Sequence, residues 1–212
     1  LFEEAIKYYA NILTPFSPLV TKKIQEVVAL GLPVNAICPS HGVIWRKDPL
    51  QIVNKYVEWA SNYAENQITI VYDTMWDGTR RMAEAIARGI TETDKTVAVK
   101  LFNISRSDKN DVITEIFKSK AILVGSPTIN RGILTSIAGL LEEMKGLKFR
   151  NKKAAAFGCY GWSGESVKVI RGQLETAGFQ VVDDGLRCLW KPDADSIVNC
   201  VEYGKKLSGL LK

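Results

Sequence analysis

From residue 68 to the end, short apolar runs alternate with longer stretches whose apolar residues return every three or four positions. The runs at 68–72, 97–102, 121–125, 154–157 and 179–182 predict strands. Those at 68–72 and 121–125 are dominated by Val, Ile and Leu, as suits strands buried on both faces of a parallel sheet. Between and after the runs, the helical spacing predicts helices over 79–91, 109–118, 133–144, 165–177 and 193–210. Five β-α units in this order predict an α/β fold, a doubly wound five-stranded parallel sheet with right-handed crossovers.

Upstream the pattern is different. Ser17-Pro18 reads as a helix N-cap followed by Pro at the first helical position, and Gly31 as the stop. Residues 34–38 read as a short strand ending in Pro39-Ser40-His41-Gly42. Asp48-Pro49 opens a further helix with an apolar stripe of Ile52, Val53, Tyr56, Val57 and Trp59. Residues 61–66 read as a linker, so the first part is expected to be mostly helical. The chain starts on Leu1 with no basic region followed by an apolar block, so no signal peptide is expected there, and the sequence reads as a piece of something longer.

An open parallel sheet binds ligands beyond the carboxyl ends of its strands, where strand order reverses. The loop after the first strand is Tyr72-Asp73-Thr74-Met75-Trp76-Asp77-Gly78-Thr79. Its hydroxyls and backbone N–H groups at a helix N-terminus suit a phosphate. No P-loop lysine motif and no G-x-G-x-x-G occurs, so a lone monoester phosphate fits better than a triphosphate or a dinucleotide. After the third strand, Gly125-Ser126-Pro127-Thr128-Ile129-Asn130-Arg131-Gly132 offers hydroxyls and an amide to the edge of a flat heterocycle. After the fourth, Phe157-Gly158-Cys159-Tyr160-Gly161-Trp162-Ser163-Gly164 sets aromatics between glycines, and Tyr160 or Trp162 could stack on a planar ring. Taken alone, the first loop reads more readily as plain turn and cap chemistry, with Thr79 capping the helix and Asp73-Thr74 turning the chain; the second reads equally both ways; the third, so rich in glycine, reads less readily as aromatics plugging the sheet edge.

Charge and cysteines narrow the function classes. A net charge of +5 is spread along the chain with no dense basic tract, which argues against nucleic acid and suits docking of an acidic electron-transfer partner. No apolar run reaches the length of a membrane span. Cys38, Cys159, Cys188 and Cys200 form no C-x-x-C, so neither a zinc ribbon nor a rubredoxin-type iron site is expected, and free thiols in a reducing cytoplasm are.

Taken together, the three loops resemble those of flavodoxins. Asp73-Thr74-Met75-Trp76, the 125–130 segment and the 157–164 segment resemble still more closely the flavodoxin module of flavodiiron proteins. Ile37-Cys38-Pro39-Ser40-His41-Gly42 resembles the last metal-ligand segment of the β-lactamase-like domain that precedes that module. Within the family, residues 98–103 and 106–110 are most similar to the nitric oxide-reducing flavorubredoxin group.

The resemblance implies that residues 1–64 are the C-terminal tail of a metallo-β-lactamase-like di-iron domain, and that residues 65–212 are a flavodoxin-like domain holding one FMN. Implied phosphate contacts are Thr74, Met75, Trp76, Asp77, Gly78 and Thr79. Ser126, Pro127, Thr128 and Asn130 would face one edge of the flavin, and Phe157, Gly158, Cys159, Tyr160, Gly161, Trp162 and Gly164 the other. His41 would be a metal ligand in the intact protein. A rubredoxin-type donor, a di-iron centre reducing nitric oxide or dioxygen, and a head-to-tail homo-oligomer are implied with it.

The sequence departs from the family at two places. A carboxylate at Asp77 is unfavourable beside a phosphate unless it faces solvent or is countered by Arg80 or Arg81. The H-x-E-x-D-H ligands are missing, and His41 is the one histidine, so this chain by itself should not hold the irons. A stand-alone FMN-dependent NAD(P)H:quinone reductase shares the fold and cofactor but does not explain Pro39-Ser40-His41-Gly42. A receiver-like signalling module would need clustered acids where only Asp73 stands.

Overall fold

A computed structural model describes residues 1–210, and the chain divides into two compact units, Leu1–Tyr63 and Ala64–Lys212.

In the first unit, α1 (Phe2–Tyr8) runs through a π turn (Tyr9–Leu13) and a 3-10 turn (Thr14–Phe16) into α2 (Ser17–Ala29). Pro15 lacks an N–H and cannot continue regular helical hydrogen bonding, and the Thr14 hydroxyl donates back to the carbonyls of Tyr9 and Ala10 there. Ser17 is the first residue of α2 and not its cap. Tyr9 is buried against Tyr56 and Trp59 of α3 (Leu50–Ala60), with ring centroids 5.3 and 5.6 Å apart. The strand expected at 34–38 does not form. One antiparallel bridge, Ile37 with Trp45, is all that pairs there among the described residues, because a strand needs a neighbour along its length and this unit offers none.

The second unit is the doubly wound sheet. Strands β1 (Glu65–Tyr72), β2 (Ala98–Asn103), β3 (Ser119–Gly125), β4 (Lys153–Tyr160) and β5 (Gln180–Val181) lie in the order β2-β1-β3-β4-β5, all parallel. Strands β1, β3 and β4 are central and buried, whereas β2 at the edge is largely exposed. The fifth strand expected at 179–182 is shortened to β5, and a sixth, unexpected strand follows it. Residues 183–185 loop out, Gly185 takes φ +79°, and β6 (Leu186–Leu189) resumes pairing with β4. Its pattern Leu-Arg-Cys-Leu is too short and mixed to read as a strand.

Helices α4 (Gly78–Thr93) and α8 (Ala194–Leu210) pack together over a core that includes Ile68, Ile70, Met82, Ile86 and Leu207. Helices α5 (Lys109–Lys118), α6 (Thr135–Leu147) and α7 (Ser166–Thr176) complete the β-α alternation. The α4–α8 crossing depends on two glycines. A Cβ on Gly89 would lie 2.0 Å from the Val201 carbonyl oxygen, and one on Gly204 would lie 2.2 Å from that of Ile86. Gly89→Ala must therefore push two backbones apart, and urea unfolding should show a loss of about 2–3 kcal/mol despite the better helix propensity of Ala. Among the described residues no helix is long and apolar enough to cross a membrane.

Candidate functional site

Strand order reverses between β2-β1 and β3-β4, so the connections after β1, β3 and β4 end at one rim of the sheet. Backbone hydrogen bonds tie the first two to the end of the neighbouring strand. The Asp73 N–H donates to the Gly125 carbonyl, Ser126 N–H to Phe157 and Thr128 N–H to Cys159, at 3.1, 3.2 and 2.9 Å. The Ser166 N–H at the start of α7 donates to the Thr128 hydroxyl oxygen at 3.1 Å.

In the first connection, Asp77 takes the left-handed conformation at φ +60° and turns the chain into α4, whose sixteen residues begin at Gly78. Thr79 is fully buried, its hydroxyl 3.3 Å from the Cys159 sulfur. A Cβ on Gly78 would stand 3.0 Å from that sulfur, so the first turn of α4 rests directly on β4. Burial pushes the Cys159 thiol up, which makes it a packing group and not a reactive thiolate. The Thr74 hydroxyl is buried with no partner in the protein, a cost that a ligand's acceptor oxygens would remove. Met75 and Trp76 stand out at the tip, Trp76 86% exposed. Asp77 turns its carboxylate to the Arg80 guanidinium at 2.9 Å; that hydrogen bond, with Arg106 and Lys191 nearby, holds its carboxyl below the usual range. Arg80, and not Arg81, is its counter-ion.

Beside this turn opens a groove of about 590 Å³ lined by Tyr72, Thr74, Trp76, Arg80, Asn103, Arg106 and Leu134 among others. Asp73, only 7% exposed, also lines it, and its carboxylate accepts from the Thr74 N–H at 2.8 Å and from the hydroxyls of Ser105 and Ser136. The sequence alone marked Asp73 as a turn residue. Nothing in the local pattern reveals that Ser105 and Ser136 close on it from two other elements.

In the second connection, Asn130 and Arg131 both have positive φ, +48° and +60°, between the mutually bonded Ile129 and Gly132, the geometry of a type I′ turn. This tip presents Asn130 to solvent. Ser126 and Pro127 are buried, and the Ser126 hydroxyl donates to the Pro127 carbonyl and accepts from the Leu134 N–H. Both hydrogen bonds of that side chain are made inside the loop.

The third connection is shorter than expected, because β4 runs on to Tyr160. Phe157 is fully buried, occupying the space left by Gly125, where a Cβ would stand 2.3 Å from its ring. Gly158 lies under the Ser126 carbonyl. Phe157 and Gly158 are therefore the support of the rim and not its surface. Gly164, at φ +73°, packs against the Tyr160 ring. Trp162 is 87% exposed beside Trp190, a neighbour that no local pattern announces.

Residues 70–204 match the family model of flavodoxin. The chain belongs to the flavodoxin family. Flavodoxins hold FMN at this strand-order switch, and the residues fit it. The buried unpartnered Thr74 hydroxyl and the open N-terminus of α4 suit a monoester phosphate, and the exposed Trp162 leaves an aromatic face for a planar ring. This flavodoxin-family chain is 54% identical over 208 residues to the anaerobic nitric oxide reductase flavorubredoxin of Klebsiella pneumoniae, covering 98% of the chain and 43% of that protein. Among solved structures it is similar to rubredoxin oxygen:oxidoreductase from Desulfovibrio gigas, with a TM-score of 0.91 and 36% identity over 97% of this chain and 51% of that one. An archaeal flavodoxin matches at a TM-score of 0.61 and 29% identity, covering 68% of this chain and 98% of its own. The chain thus spans about half the length of the flavorubredoxin and the oxidoreductase. Among the described residues no group of three or more His, Cys, Asp or Glu could hold a metal ion, and His41 is exposed with its ring 5.8 Å from Tyr8.

Proposed function

We propose that this chain is the electron-transfer part of a flavodiiron oxidoreductase. Its rim holds one FMN, takes electrons from a rubredoxin-type donor and hands them to a di-iron centre completed by the rest of a longer protein. Nitric oxide would be reduced there to nitrous oxide, or dioxygen to water. The observation that carries this reading is the convergence of the three connections on one side of the sheet, around a buried hydroxyl with no partner.

When bound, FMN supplies reversible uptake and release of electrons. The protein's part is to hold, orient and shield. The Thr74 hydroxyl and the open N–H groups of the first turn of α4 would bind the phosphate, with Thr79 fixed behind them by Cys159. Asp77 keeps its carboxylate on Arg80 and so away from a phosphate. Backbone groups of the 128–130 turn and of Gly161 would meet the ring edges, and Trp162 its face. Residues 1–64 would be the tail of the metal domain, with His41 one ligand of the intact centre. Head-to-tail association would bring the flavin of one copy to the irons of another. The free cysteines fit a cytoplasmic setting.

Titrating the purified chain with FMN should quench flavin fluorescence at one equivalent and give a yellow protein. A colourless protein that gains no flavin absorbance defeats the reading. Iron added to this chain alone should be lost on desalting, since a single imidazole does not make a di-iron site; retention of two irons per chain would contradict that part.

A further inference from the structure

The turn after β6 carries a residue that the proposed flavin contacts leave unused. Trp190 has φ +54°, a left-handed conformation that is strained for a bulky side chain and persists only where the surroundings impose it. Three contacts impose it. The Trp190 N–H donates to the Tyr160 carbonyl at 2.7 Å. The Trp190 ring stands edge-on to Trp162, with centroids 5.2 Å apart at 70°. It also covers Gly161, where a Cβ would lie 2.8 Å from the ring, so residue 161 has no room for a side chain while Trp190 is in place. The first contact falls on the last residue of β4, and the other two on the connection that follows it.

We infer that Trp190 is a positioning residue for the flavin ring. It pins Gly161 and braces Trp162 at one orientation, so that the aromatic face offered to FMN is preformed. The inference rests on the flavin reading of the rim. Without the brace, Trp162 would be a nearly fully exposed side chain free to sample several rotamers, and binding would have to order it.

The test uses the full chain with Trp190→Gly and Trp190→Phe. Glycine adopts φ +54° without strain, so the fold has no reason to fail. In the flavin-free wild type the two indoles should give an exciton couplet in circular dichroism. Trp190→Gly should lose the couplet, keep its urea midpoint and bind FMN about tenfold more weakly. Trp190→Phe, which keeps a ring against Gly161 and Trp162, should return to within about twofold of wild type. Unchanged FMN affinity in Trp190→Gly, or Trp190→Phe as weak as Trp190→Gly, overturns the inference. A wild type that binds FMN without a couplet overturns the brace alone. A wild type with the couplet and no FMN binding overturns the flavin reading, and the role of Trp190 with it.

Discussion

Gly158→Ala should abolish measurable FMN binding while most of the sheet still folds. A Cβ at this position would stand 2.0 Å from the Ser126 carbonyl oxygen and 2.9 Å from the Ser166 hydroxyl. The first of these is backbone and cannot rotate away, so the connection after β3 must move away from the end of β4. They are joined within two residues of this point, through Ser126 to Phe157 and Thr128 to Cys159. Separating them displaces both edges of the proposed ring site at once. Overpacking of this kind costs about 1–3 kcal/mol, a part of the stability of an ordinary domain. The loss should therefore fall mainly on the cofactor. Fluorescence titration should show FMN affinity down at least about a hundredfold, and urea unfolding should show a cooperative, slightly earlier transition. Wild-type affinity in this variant would mean that the two connections do not form the site.

Asp73→Ala should have the next largest effect, on stability and on cofactor together. The carboxylate is buried and receives the Thr74 N–H and the hydroxyls of Ser105 and Ser136, which come from the β2 connection and the first turn of α6. Hydrogen bonds to a charged group contribute about 1.5–3 kcal/mol each when lost singly, and their sum is not additive. A net loss of about 3 kcal/mol is expected. The Thr74 N–H would also be released, loosening the residue whose hydroxyl is proposed to meet the phosphate. FMN binding should then weaken more than about tenfold. Asp73→Asn keeps an acceptor for part of the network and should fall between wild type and Asp73→Ala. If Asp73→Asn and wild type match in both urea midpoint and FMN affinity, the charge is not what ties the rim together.

The sequence by itself determined the class of fold, because the apolar runs of β1 and β3 and the 3.6-residue spacing of apolar positions in α4 and α5 are local and strong. The continuous apolar runs at 68–72 and 121–125 also told that these strands lie inside the sheet, as they do. The rim was legible for a related reason: in a parallel sheet every strand ends at the same side, so loops far apart in sequence must meet. What only the tertiary structure decided were matters of partner and register. The run at 34–38 has strand character, yet a strand exists only where another lies alongside. That the chain rejoins the sheet as β6 depends on how residues 183–185 leave it, and Phe157, expected at the end of the fourth strand and beside the flavin, is buried because Gly125 makes room for it in the core. Asp73 and Trp190 were silent for the same cause: their roles come from Ser105, Ser136, Gly161 and Trp162, residues that only the folded chain brings to them.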